Sequence, residues 1–141
     1  MPDALQKIIL VDDDPVNIQI CRMMLSKVIA GLEFQIYEDG YEAYRALVAS
    51  GKIPDEHELL FLDLNMPEMN GWEFIEEFEK ADIQLKEKFS IYILTSSISE
   101  LDVNRAKDFP SVRNYLVKPL NTKTVRAVLE EMEGKNIGSQ S

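Results

Sequence analysis

The sequence predicts a doubly wound α/β fold, a parallel sheet of five strands covered on both faces by five helices. Three observations carry that prediction. Short β-rich apolar runs alternate five times with segments whose apolar residues recur at helical spacing. The first, third, fourth and fifth of these runs end at Asp12-Asp13, Asp63, Thr95 and Lys118. No internal repeat, low-complexity stretch or interdomain linker interrupts the 141 residues, a length that suits one domain with a sizeable core.

The first strand is Lys7–Val11, ending in Asp12-Asp13-Asp14-Pro15. Pro15 fits the first position of a helix with Asp14 as its N-cap. Val16, Ile20, Met23, Met24 and Val28 then mark one helical face, and Gly31 stops it. Glu33–Tyr37 alternates polar and apolar residues as a second strand. Asp39-Gly40 leads into a helix with Tyr44, Leu47 and Val48 inward, closed by Gly51. After a polar loop over Lys52–Glu58, the run Leu59-Leu60-Phe61-Leu62 reads as a central strand buried on both faces.

That central strand meets Asp63, and Pro67 and Gly71 break the chain before Phe74, Ile75 and Phe78 recur at helical spacing. Phe89–Leu94 is the fourth strand, ending at Thr95-Ser96-Ser97. Ser99 with Asp102 suits the start of a short helix, which Phe109-Pro110 ends. Tyr115–Val117 is a brief fifth strand followed by Lys118-Pro119. The last helix carries Val125, Val128, Leu129 and Met132 on one stripe and is expected to end at Gly134. Residues 1–134 are thus expected to form the domain and 135–141 a flexible tail.

Composition narrows the function. Apolar residues make up 45% and charged residues 28%, globular values. A formal net charge of −10 argues against a nucleic-acid partner, because phosphate neutralisation needs lysine and arginine. No apolar run nears the roughly 20 residues of a membrane span, and the N-terminus lacks signal-peptide character, so a cytoplasmic location is expected. The single cysteine, Cys21, excludes an internal disulfide and a cysteine-based zinc site. The single histidine, His57, sits in a polar loop, where solvation is the expectation. Trp72, at the start of the third helix, is expected to pack rather than to bind.

Asp12 and Asp13, Asp63, Thr95 and Lys118 each follow a strand. In a parallel sheet those positions fall on one edge, the edge where open α/β sheets bind ligands. Three carboxylates there repel one another by on the order of 3–4 kcal/mol per pair at about 4–6 Å and an effective dielectric near 20. A divalent cation removes that cost, and a few hard oxygen ligands suit magnesium better than zinc. Asp63 is then placed to act as a nucleophile toward a phosphoryl group. Lys118 can neutralise the developing charge, and Thr95 can offer a hydroxyl to the attached group.

These motifs, in this order and spacing, resemble the response-regulator receiver domain of two-component signalling over about residues 5 to 133. The resemblance rests on Val11-Asp12-Asp13-Asp14-Pro15, Leu62-Asp63-Leu64-Asn65-Met66-Pro67-Glu68-Met69-Asn70-Gly71, Leu94-Thr95-Ser96 and Tyr115-Leu116-Val117-Lys118-Pro119. It implies a flavodoxin-like fold, Asp63 as phosphoacceptor, and magnesium bound by Asp13, Asp63 and the Asn65 backbone carbonyl, with Asp12 acting largely through water. It further implies Lys118 pairing with the acceptor, Thr95 as switch hydroxyl, Tyr115 as switching aromatic and a cis Lys118-Pro119 bond. The phosphoryl donor would be a histidine kinase or a histidine phosphotransfer protein, and the output protein is not specified. Many receivers carry a Gly-Ala pair before the fifth strand. Here Pro110-Ser111-Val112-Arg113-Asn114 stands instead, so that loop is expected to differ.

The resemblance implies a signalling protein rather than an enzyme. Two alternatives stay open: a magnesium-dependent phosphatase with an aspartyl nucleophile, and a pseudo-receiver that binds partners without phosphoryl chemistry. Haloacid-dehalogenase-type phosphatases carry an acidic residue two positions after the nucleophile, whereas Asn65 stands there. A dinucleotide-binding Rossmann unit is disfavoured, since no glycine-rich turn follows the first strand.

Overall fold

The computed structural model describes residues 7–66, 68–96 and 99–140, with side chains as far as residue 132. The expected turn residue Pro67 and the strand-end residue Ser97 lie outside the described residues. Five parallel strands, β1 (Lys7–Val11), β2 (Glu33–Tyr37), β3 (Glu58–Leu62), β4 (Phe89–Thr95) and β5 (Val112–Val117), form one sheet in the order β2-β1-β3-β4-β5. The chain therefore reverses its direction of winding at β1/β3, the crevice position of flavodoxin-like sheets. β3 is buried along its whole length and β4 likewise, as their unbroken apolar runs require.

Helices cover both faces. α1 (Pro15–Val28) and α6 (Thr122–Gln140) pack on one, where Leu25, Val125 and Val128 meet Ile8, Leu10, Phe61 and Tyr92. α2 (Gly40–Tyr44), α3 (Gly71–Glu79) and α5 (Glu100–Ala106) take the other, where Phe74, Ile75 and Phe78 meet Leu60, Leu62 and Ile91. A single turn, α4 (Ile83–Lys86), lies between α3 and β4 and buries Leu85. The sequence reads as a loop there because one turn cannot display helical periodicity. α2 widens into a π-helical turn over Arg45–Ala49.

Capping follows the sequence. Asp14 accepts from the Val16 N–H at 3.0 Å with Pro15 beginning α1, and Ser99 accepts from the Asp102 N–H at 3.1 Å. Asn70 and Glu73 form a reciprocal capping box at α3.

Four expectations are corrected. α1 buries Asn17, Cys21 and Leu25, whereas Val16 and Met23 are exposed. A polar residue on the inward face hid the true stripe from a reading based on apolar spacing. α6 runs through Gly134 to Gln140; glycine inside a helix costs about 1 kcal/mol relative to alanine and does not by itself stop it. β5 begins at Val112, three residues early, and joins β4 through a register shift between Ile91 and Tyr92. The atypical segment before Tyr115 has thus become strand. His57 is not simply solvated, because its Nε2 lies 2.7 Å from the hydroxyl of the buried Ser90.

Candidate functional site

The loops that leave β1, β3 and β5 bring their polar residues together at one sheet edge. Asp12 and Asp63 are buried, and one oxygen from each of Asp12, Asp13 and Asp63 lies within 4.8 Å of the others. Asp13 alone of the three faces solvent. The Lys118 ammonium bridges the two buried carboxylates, 3.2 Å from Asp12 Oδ2 and 3.5 Å from Asp63 Oδ1. The Lys118-Pro119 bond is cis.

Local structure fixes each member. The Asp63 N–H donates to the Val11 carbonyl at 2.9 Å, which ties the end of β3 to the end of β1. The Lys118 N–H donates to the Thr95 carbonyl at 2.8 Å, which ties the loop after β5 to the end of β4. Asp12 accepts from the Asp14 N–H at 2.9 Å and from Asn17 Nδ2 at 2.5 Å. Asp63 accepts from the Asn65 N–H at 3.3 Å, the contact by which Asn65 reaches the site. Thr95 is buried at the end of β4, and the half-buried Tyr115 of β5 lies beside Ile93 of that strand.

Asn17 belongs to the site and is not apparent from the strand-end pattern. Its signal lies in spacing: Asn17, Cys21 and Leu25 recur every four residues, so a polar residue begins the buried face of α1. Such a residue has to find a partner, and Asp12 is five positions earlier.

Two glycines hold the loop after β3 in place. A Cβ on Gly71 would lie 2.5 Å from the Asp63 carbonyl oxygen and 2.8 Å from the Leu64 Cα, and one on Gly40 would overlap the Met69 carbonyl oxygen. Between them Glu68 takes a left-handed φ of 63°. The loop after Asp63 is thus shaped by close backbone contact from α2 and α3.

Beside the carboxylates lies a small cavity of about 10 Å³ lined by Leu10, Ile18, Cys21, Phe61 and Leu94 together with Asp12, Asn17 and Asp63. Burial, and then the Asp12 charge, push the Asp63 carboxyl above the usual carboxylate range, more than Lys118 and the Asn65 N–H pull it down. Burial presses the Lys118 ammonium down, but Asp12 and Asp63 outweigh it and the net shift is upward. Burial and Asp12 drive the Cys21 thiol up to about 12, so it stays protonated. A larger cleft, about 290 Å³, opens at the C-terminal ends of α2 and α3 among Tyr44, Val48, Ile53 and Leu85. It contains none of the strand-end residues.

The donor set fits a hard divalent cation, with carboxylate oxygens only, converging on one point and balanced by a single ammonium.

A family model described as the response regulator receiver domain matches residues 8–130. The chemotaxis protein CheY1 of Helicobacter pylori is 32% identical over 131 residues, covering 92% of this chain and 98% of its own length. The hybrid signal transduction histidine kinase L of Dictyostelium discoideum is 27% identical over 141 residues, and this chain spans 8% of it. Among solved structures, a two component response regulator from Cytophaga hutchinsonii superposes with a TM-score of 0.77 at 26% identity, covering 91% of this chain and 96% of that one. The phosphorylated cyanobacterial phytochrome response regulator RcpA gives 0.69 at 29% identity, with 91% of both chains covered.

Proposed function

Because the chain belongs to the response regulator receiver family of two-component signalling, we propose that it accepts a phosphoryl group on Asp63 from a phosphohistidine donor and changes its partner affinity in response. Residues 1–134 form the receiver in this reading, and 135–141 extend beyond it. The observation that carries it is the buried Asp63 carboxylate, 3.5 Å from the Lys118 ammonium and grouped with Asp12 and Asp13.

In the proposed transfer an Asp63 oxygen attacks phosphorus, the new O–P bond forms as the donor's N–P bond breaks, and the imidazole leaves with that electron pair. Lys118 faces the equatorial oxygens and offsets the charge that develops on them. Asp12 and Asp13, with Asp63 and the Asn65 carbonyl, would hold magnesium, which when bound supplies positive charge against the phosphoryl oxygens. Asn17 holds Asp12 in place through its amide. Thr95 donates its hydroxyl to the attached phosphoryl group, and Tyr115, beside β4, turns inward as the loop after Thr95 closes. A partner that prefers one arrangement shifts the equilibrium between the two.

The donor is proposed to be a histidine kinase or phosphotransfer protein, a reading supported by the histidine kinases among the relatives. Among the described residues, no helix is long and apolar enough to cross a membrane.

Incubation with magnesium and acetyl phosphate should add one phosphoryl group, located on Asp63 by mass spectrometry after borohydride trapping. An adduct on another residue, or none, would overturn the acceptor assignment. Magnesium alone should raise wild-type stability by about 2.7 kcal/mol at a hundredfold excess over its dissociation constant. Asp13→Asn should respond much less in the same thermal melts. Equal shifts in both proteins would remove Asp13 from the metal site.

A further inference from the structure

α5 is the least anchored of the helices beside the site. Seven residues long, it buries only Ala106, and Leu101 on it is 81% exposed. Besides the buried Ala106, Arg105 ties it to the neighbouring helix α3. Its guanidinium carbon lies 4.6 Å from the centre of the Trp72 ring, and its Nη2 lies 3.3 Å from Glu76 Oε2. Both partners are on α3, so a single side chain of α5 is held by a ring face and a carboxylate of one neighbouring helix. Trp72 is itself buried and rests against Phe109, ring centres 6.1 Å apart, in the segment that follows α5.

Trp72 is also one residue from a close backbone contact of the loop that follows Asp63. Gly71 lies against the Asp63 carbonyl and Leu64, and its N–H donates to the Leu64 carbonyl at 3.0 Å. α5 is therefore connected to Asp63 twice. One connection runs through β4 and Thr95, and the other through Gly71, Trp72 and Arg105. A displacement of α5 away from α3 would part the guanidinium from the indole face and from Glu76.

We propose that the Arg105–Trp72–Glu76 contact is a clamp that holds α5 in its unloaded position, setting how much acceptor occupancy is needed to move it. The proposal rests on Asp63 being the acceptor. The clamp is local to two helices, and part of it is exposed to solvent, so it opposes the movement without preventing it.

The chain has one tryptophan, so its emission comes from the ring at the centre of this contact, and the Arg105 variants separate the contact from the ring's other neighbours. Full-length protein with magnesium is titrated with beryllofluoride, an analogue of the phosphoryl group, and bound fluoride is followed by ¹⁹F NMR in parallel with Trp72 emission. Wild-type emission should change along the loading curve. Arg105→Ala should start near the loaded emission and saturate at a beryllofluoride concentration lower by roughly threefold to tenfold. Arg105→Lys, which keeps the cation, should recover part of both.

Three results overturn the clamp alone. They are bound fluoride with silent Trp72 emission, an unchanged midpoint in Arg105→Ala, and Arg105→Lys behaving no better than Arg105→Ala. Absence of any bound fluoride in the wild type would instead overturn the acceptor reading, and this inference with it.

Discussion

Gly71→Ala should destabilise the protein by about 2–3 kcal/mol, lowering Tm by roughly 5–10 °C. The methyl group would meet the Asp63 carbonyl oxygen at 2.5 Å and the Leu64 Cα at 2.8 Å. Both are backbone atoms, so no side chain can swing aside, and either α3 or the end of β3 has to shift. The shift falls on Asp63, the proposed acceptor, so the variant should also bind beryllofluoride more weakly. Gly31→Ala is the matched control. Gly31 has a φ of +74° but nothing within 4 Å of an added Cβ, so its cost is the left-handed backbone alone, about 1 kcal/mol. Urea unfolding of the two variants with and without beryllofluoride separates them. Equal losses would show that Gly71 matters for conformation and not for its approach to Asp63.

Asp63→Asn should abolish the adduct completely and, without magnesium, make the protein more stable at neutral pH. The sign follows from the raised position of the Asp63 carboxyl, which burial and then Asp12 impose against Lys118. The folded state holds this proton more tightly than the unfolded chain. Stability is therefore fully present below the ordinary carboxylate pKa and is lost as pH rises from there through the raised folded value. At neutral pH the wild type carries that loss and Asp63→Asn does not, so the variant should melt at the higher temperature. Acidification below the ordinary carboxylate range should bring the two melting curves together. A lower Tm for Asp63→Asn at pH 7 would show that the ion pair with Lys118 outweighs burial.

The strands were legible because their physical cause is local. Runs such as Leu59–Leu62 and Phe89–Leu94 are apolar at every position or nearly so, and only a strand covered on both faces uses such a run. The strand-end residues were legible for a related reason, since polar groups that interrupt such runs stand where the sheet stops. The α1 face was not. Its buried stripe runs Asn17, Cys21, Leu25 and begins with a polar residue held by Asp12, so a reading that follows apolar residues alone takes Val16 instead. Such a reading also passes over Ser90 against His57, 33 residues apart in the chain, and Arg105 on Trp72. The start of β5 was hidden because Val112 and Arg113 are admitted to the sheet by a register shift beside Ile91, a property of the partner strand.

The order in which the acidic pocket is assembled has a consequence during synthesis. Asp12, Asp13 and Asp63 all leave the ribosome before Lys118, which follows β5 at the far edge of the sheet. At about 5–20 residues per second, the 55 residues from Asp63 to Lys118 take roughly 3–11 s to make. For that interval β1, β2 and β3 are available, yet the carboxylates that end β1 and β3 have no ammonium between them. Their repulsion disfavours early docking of those strand ends and leaves the apolar faces of Leu60 and Leu62 without a settled neighbour. Emergence of the last strand therefore completes the sheet and brings the Lys118 ammonium between Asp12 and Asp63 in one event.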